Sequence, residues 1–220
     1  MLARLLIYPL CLLVGALLAV VAGVLHPDLA GDGAAQLTTI AQCAGWRAIH
    51  WTFLFGFPLA LTGLVGLARA HAGNPEESAV RAGLIVATFA YSTWTVTVAF
   101  MGSAGGSLAH SFMVAEAGMT ATRAVFLFDM IHPFALATQR VAGFALGLST
   151  CLFGWGVSEG RVLPRWLGTT GLAAGAVAMA LAVAFPETTK ADQAAFVLPV
   201  LWQVVTGTVM LRTTAASRKP

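Results

Sequence analysis

Six runs of apolar residues, each about as long as a bilayer is thick, constrain this chain more than any motif does. They occupy residues 5–25, 50–68, 82–101, 141–157, 166–185 and 194–211. A helix rises about 1.5 Å per residue and the hydrocarbon core is roughly 30 Å thick, so ~20 apolar residues make one crossing. Hydrophobic residues make up 58% of the 220 and charged residues 10%, against roughly 45–50% and 25% in globular proteins. After six crossings too little chain remains for a soluble domain. The expected fold is an all-α, polytopic transmembrane helical bundle of about six spans, forming one domain over residues 1–220 in contact with the lipid bilayer.

The connectors 26–47, 69–81, 102–122, 158–165 and 186–193 carry Pro, Gly, Asp or charged residues and read as loops. One stretch resists this division. Residues 123–157 hold no turn cluster, yet about 35 helical residues would measure ~52 Å. Pro133 offers a break. The expectation is a kinked or extended fourth helix: an interfacial or tilted piece over 123–131, a kink, then the span. The start, Met1-Leu-Ala-Arg4 and a long apolar run, has the look of a secretory signal. Its ~20 residues exceed the usual apolar region of a signal peptide, so a retained first helix is expected.

Basic residues report topology in such a chain, because positive loops stay on the cytoplasmic side. With the N-terminus inside, Arg4, Arg69, Arg81, Arg161, Arg165, Arg212, Arg218 and Lys219 are cytoplasmic. Arg47, Arg123, Arg140 and Lys190 then lie on or near the outer side, the minority of the 12 basic residues. This predicts a multi-pass protein of the bacterial cytoplasmic (inner) membrane with both termini cytoplasmic. Trp46 and Trp51 fall at one predicted interface, Trp155 and Trp166 at the other. The net charge of +3 rests on these few residues, so no nucleic-acid partner is expected. Cys11, Cys43 and Cys151 form no CxxC pair and indicate neither a disulfide framework nor a redox motif.

Small residues mark close helix contacts. Gly143-x-x-x-Gly147 and Gly171-x-x-x-Gly175 put glycines on one face, where helix backbones can approach, and packing within the bundle is expected. Gly56-Phe-Pro-Leu-Ala-Leu-Thr62 is faintly repeated in Gly143-Phe-Ala-Leu-Gly-Leu-Ser149, which would relate spans two–three to spans four–five. Arg161-Val-Leu-Pro-Arg-Trp-Leu-Gly168 resembles a hairpin of uncharacterised six-helix bacterial membrane proteins. That resemblance covers one loop and implies a similar helix count, with no catalytic residue attached.

Chemistry concentrates at one end. In this topology His26, His50, His110 and His132 lie on the outer side with Met101, Met113, Met119 and Met130, and only His71 is cytoplasmic. Imidazole binds haem iron, copper or zinc, and thioether sulfur suits Cu(I) or a haem axial position. His50 and His132 are therefore candidate ligands, with His110 and His26 as further ones. Phe126, Phe128, Phe53 and Trp51 are available to line an apolar haem slot. No spacing matches HExxH, HxxxH or CxxCH. The plainer reading has these histidines capping helix ends or bonding loop carbonyls.

Asp129 and His132 are spaced i, i+3, and Arg140 returns to their face with Gln139 at its edge. Such a polar stripe at membrane depth is costly and is a functional candidate. Asp129 is placed to orient His132 as a carboxylate does for a metal-bound histidine, or to pair with Arg123 or Arg140. Thr88, Tyr91, Ser92 and Thr95 form a hydroxyl face, expected to bond their own backbone or a neighbouring helix. Met101-Gly-Ser-Ala-Gly-Gly-Ser107 reads as a hinge or close-approach segment, and Glu187, Asp192 and Gln193 as solvated.

Several membrane functions are excluded. The lysines, Lys190 and Lys219, lie outside the spans, which rules out a retinal protein. The spans carry too few charges for a voltage sensor or proton pump, too few histidines for a di-iron enzyme, and no serine in a nucleophile elbow. Two functions from different classes remain. One is a haem- or transition-metal-binding protein with a redox role. The other is a non-catalytic subunit of a larger membrane complex, or a carrier of a lipid or small molecule.

Overall fold

The computed structural model describes residues 2–114, 119–186 and 190–216. Glu187 and Lys219 lie outside the described residues, as do the side chains of Arg4, Met119, Lys190 and Asp192. The described chain is helical: α1 (Leu2–Leu25), α2 (Gly33–Gln42), α3 (Trp46–Ala70), α4 (Glu77–Phe100), a π-helical turn (Met101–Gly105), α5 (Gly106–Val114), α6 (Met119–Glu159), α7 (Arg165–Ala184) and α8 (Lys190–Ala216). Among the described residues six helical stretches are long and apolar enough to cross a bilayer. Six crossings return the start of α1 and the end of α8 to the same end.

The six spanning helices close into a ring in the order α1, α3, α4, α6, α7, α8. Glycine sets the tightest crossings. A Cβ on Gly147 would lie 2.9 Å from the Gly175 carbonyl oxygen, and one on Gly154 would meet Leu172 and Gly168 backbone. The α6–α7 contact is therefore backbone on backbone, as the small-residue spacing anticipated, while Gly15 and Gly56 do the same for α1 and α3. No hydrophobic effect favours helix association inside lipid, so this close approach supplies van der Waals contact instead. Phe53, Phe57, Tyr91, Trp94 and Phe196 fill the ring's interior, with Trp94 and Phe196 centroids 4.2 Å apart. Tyr91 donates to Gln203 Oε1 at 2.7 Å, satisfying two buried polar groups across α4 and α8. Thr88 and Thr95 donate to the carbonyls of Leu84 and Tyr91, the self-bonding expected of that hydroxyl face.

Two expectations are corrected. Residues 102–122 read as a loop, yet the third spanning stretch continues for 38 residues, Glu77–Val114. Its glycines serve close approach: a Cβ on Gly102 would sit 2.7 Å from His50 Cβ, and Gly106 faces the Trp46 ring. The connector 26–47 likewise contains α2, whose N-cap Asp32 accepts from Ala35 N at 2.9 Å. The fourth spanning helix is extended, one of the two forms expected of it: α6 continues through Pro133 for 41 residues. Proline removes one intrahelical bond, but buried Ala124, Phe128, His132 and Ala135 hold the adjoining turns from one side.

At ~60 Å, α6 is about twice the bilayer core. Its first half, with α2 and α5, builds a cap around a second apolar cluster of Leu37, Ile40, Trp46, Met101, Ala109, Ala124 and Phe128. Trp51, Trp155 and Trp166 are exposed at the two ends of the ring, as an aromatic belt requires. Trp46 is not part of it: only 4% exposed, it belongs to the cap.

Candidate ligand-binding groove at the histidine end

Where the ring meets the cap, three aromatic rings cluster at tilted and edge-on angles. Trp46 begins α3, and His50 follows one turn later, so both face the same side. Their centroids are 4.3 Å apart, and His26, just past α1, lies 5.0 Å from Trp46 and 5.3 Å from His50. The indole of Trp46 donates to the carbonyl of Met101 at 2.8 Å, tying α3 to the first residue of the π-helical turn. Such turns recur at functional sites.

Backbone carbonyls decide the tautomers. His50 Nδ1 donates to Trp46 O at 2.8 Å and His26 Nδ1 to Pro27 O at 2.9 Å. A carbonyl can only accept, so in neutral rings the proton sits on Nδ1 and Nε2 keeps its lone pair. Burial holds the His26 imidazole below its ordinary range, against the opposing pull of the Pro27 carbonyl and the Asp28 charge.

A groove of about 1040 Å³ opens beside this cluster, walled by α3, the π-helical turn, α5 and the end of α2. Trp46, Trp51, Leu54, Val98 and Ile40 give it an apolar floor. Its polar groups are Arg47, His50, His110, Ser103, Ser107, Ser111 and Gln42. Among the described residues no aspartate or glutamate lines it. The groove therefore offers hydrogen-bond donors and one fixed cation, with no fixed negative charge.

The sequence candidates divide between places. His50 and His110 line the groove, and His26 meets the His50 ring edge-on from behind. His132 lies in the cap wall, 8% exposed and stacked on Phe128 with centroids 4.6 Å apart. Among the described residues no ring contact or hydrogen bond joins His132 to His50. Among the described residues, no group of three or more His, Cys, Asp or Glu side chains is placed to hold a metal ion.

The polar stripe of α6 also separates. Asp129 is exposed and lies against Gly33, so that its charge faces the N-terminus of α2. Among the described residues it forms no ion pair with Arg123, Arg140 or His132. Arg140 instead reaches the far end of α7, donating to the carbonyls of Ala182 (2.6 Å), Val183 (3.1 Å) and Phe185 (2.9 Å). Gln139 is half-buried beside it.

Sequence reasoning missed the wall of the groove, since Ser103, Ser107 and Ser111 fell in an expected loop. Their i, i+4, i+8 spacing was the available signal. It also missed a dyad at the opposite end, where fully buried His71 bonds Glu76 Oε1 at 3.0 Å through Nδ1. The chain matches no protein-family model, and no curated protein or solved structure matches it.

Proposed function

We propose that this multi-pass membrane protein binds an anionic amphiphile, a long-chain carboxylate or lipid phosphate, in the groove at its histidine end. The observation that carries this reading is the groove's lining: an apolar floor under a rim of donors, with Arg47 as the fixed charge and no acidic residue among the described residues. The Arg47 guanidinium, the Ser107 and Ser111 hydroxyls and the His110 ring are the groups that would donate to an oxyanion, and charge-assisted bonds are about twice as strong as neutral ones. Trp46, Trp51 and Leu54 would take the acyl chain. The protein then acts as a carrier or receptor subunit in the inner membrane, its histidine end outward and both termini cytoplasmic. This orientation is supported by the excess of basic residues at the opposite end.

The test is tryptophan fluorescence in phosphatidylcholine nanodiscs titrated with dodecanoate and, separately, dodecanol. Saturable change with dodecanoate, weakened about tenfold or more in Arg47→Ala and in Ser107→Ala, supports the reading. Equal responses to both probes, or titrations unaffected by either substitution, refute it. The absorption spectrum of the same sample addresses the redox alternative. A Soret band lost in His50→Ala or His132→Ala would assign the histidines to haem instead.

A further inference from the structure

We propose that α6 is a dimerisation helix, pairing with α6 of a second copy along a seam of Leu127, Met130, Phe134, Ala137, Val141 and Phe144. These positions follow one another at intervals of three, four, three, four and three, the spacing of a two-helix seam. All six are exposed, among them Leu127 at 46%, Met130 at 64%, Phe134 at 63% and Val141 at 49%. Phe126 (62%) and Ile131 (38%) widen the stripe on either side.

Exposed apolar side chains are ordinary where a helix faces lipid. Here the seam runs beyond the level at which the neighbouring span α7 ends. Arg140 is bound to the last carbonyls of α7, so it marks the level at which that spanning helix ends. Residues 140–159 of α6 match α7 in length, and the turns before Arg140 rise toward the cap. Phe126, Leu127, Met130 and Ile131 stand two to four turns above that level. In water such a contiguous patch is costly to leave uncovered.

A second copy fits the geometry. Copies inserted in one bilayer share an orientation, so a two-fold axis relating them runs along the membrane normal, and their α6 helices meet in parallel. Each seam residue then faces its own counterpart, and the contact is isologous and closed. Aromatic side chains present roughly 150–250 Å² each. The exposed side chains of the upper seam therefore offer on the order of 500 Å² per copy. The membrane part, with Val141 and Phe144, brings the pair above the ~1,000 Å² expected of a specific interface. The seam lies on the outer side of α6 and leaves the groove open, so pairing and ligand binding are separate properties.

Cysteine cross-linking in native membranes tests the register, in a chain whose Cys11, Cys43 and Cys151 are replaced by alanine. Met130→Cys and Phe134→Cys should each give a disulfide-linked dimer on mild oxidation, at least about fivefold more than Asp129→Cys, which is exposed but off the seam. Mass photometry of the unmodified protein in nanodiscs should report two copies, reduced to one by Phe134→Asp. A single copy throughout, or cross-linking equal at all three positions, overturns the proposal. A monomer whose Met130→Cys site carries a probe reporting an apolar environment would mean that lipid covers the patch.

Discussion

Removing the guanidinium of Arg140 should loosen α7 from α6 and lower stability by a predictable amount. The Nε bond to Ala182 O is the most sheltered of its contacts, because Ala182 is only 1% exposed. Losing it leaves a carbonyl without a partner in apolar surroundings, a cost of about 1–3 kcal/mol. The bonds to Val183 and Phe185 are exposed and water can replace them, so they add little. A cation at a helix C-terminus contributes a further 0.3–1 kcal/mol or so. Arg140→Ala should therefore cost about 1–4 kcal/mol. For a domain of this size that is a fall of roughly 3–16 °C in Tm. Arg140→Lys should recover about half, since lysine keeps the charge but loses the planar fork of donors. Thermal unfolding in nanodiscs, followed by tryptophan emission, is a suitable assay. A Tm within 1 °C of wild type for Arg140→Ala would refute the clamp. Equal losses in the lysine and alanine variants would refute the charge component.

Two further outcomes follow from the buried polar pairs. Tyr91→Phe should destabilise by about 1–2 kcal/mol by stranding Gln203 Oε1, and adding Gln203→Leu should restore most of the loss, as a double-mutant cycle would show. The hydrogen bond from His71 holds the Glu76 carboxyl below its ordinary value of 4.5. A depressed carboxylate contributes stability that is present above its ordinary pKa and lost as pH falls through the folded value. Glu76→Gln should therefore flatten the acid side of the Tm-against-pH curve below about pH 4.5, and a curve of unchanged slope would exclude the pair as its source.

What the sequence made legible is what the bilayer enforces. Lipid leaves unpaired backbone groups no alternative to a helix, so run length alone located the spans. The Gly147 and Gly175 contact was legible for a similar reason, because only glycine admits a backbone at that distance. The cap was not legible. Gly102 and Gly106 carry turn chemistry by composition, and nothing local reveals that His50 and Trp46 occupy the space their missing side chains leave. Tertiary contact overrode the local signal, and the groove wall was lost with it. Arg140 failed differently. Its spacing from Asp129 was real, but a ~6 Å side chain on a helix can turn toward either neighbour, and the free carbonyls ending α7 outcompeted an exposed carboxylate.

That competition bears on the histidines. A metal site asks several donors from separate helices to point at one volume, whereas here each donor already has local work. His50 and His26 are held by backbone carbonyls, His132 lies against Phe128, and Asp129 faces the start of α2. The carbonyl bonds fix ring orientation and leave Nε2 an acceptor, so an oxyanion in the groove has to be bonded by other donors. Clustering in sequence therefore pointed to the end of the molecule that carries the groove. In the proposed reading the chemistry at that end rests on the groove's donors, among them Ser107 and Ser111 on α5, within a stretch whose composition predicts a loop. Arg47→Ala and Ser107→Ala are for that reason more direct tests of function than any histidine substitution, since His50 also supports the packing of Trp46 and Gly102.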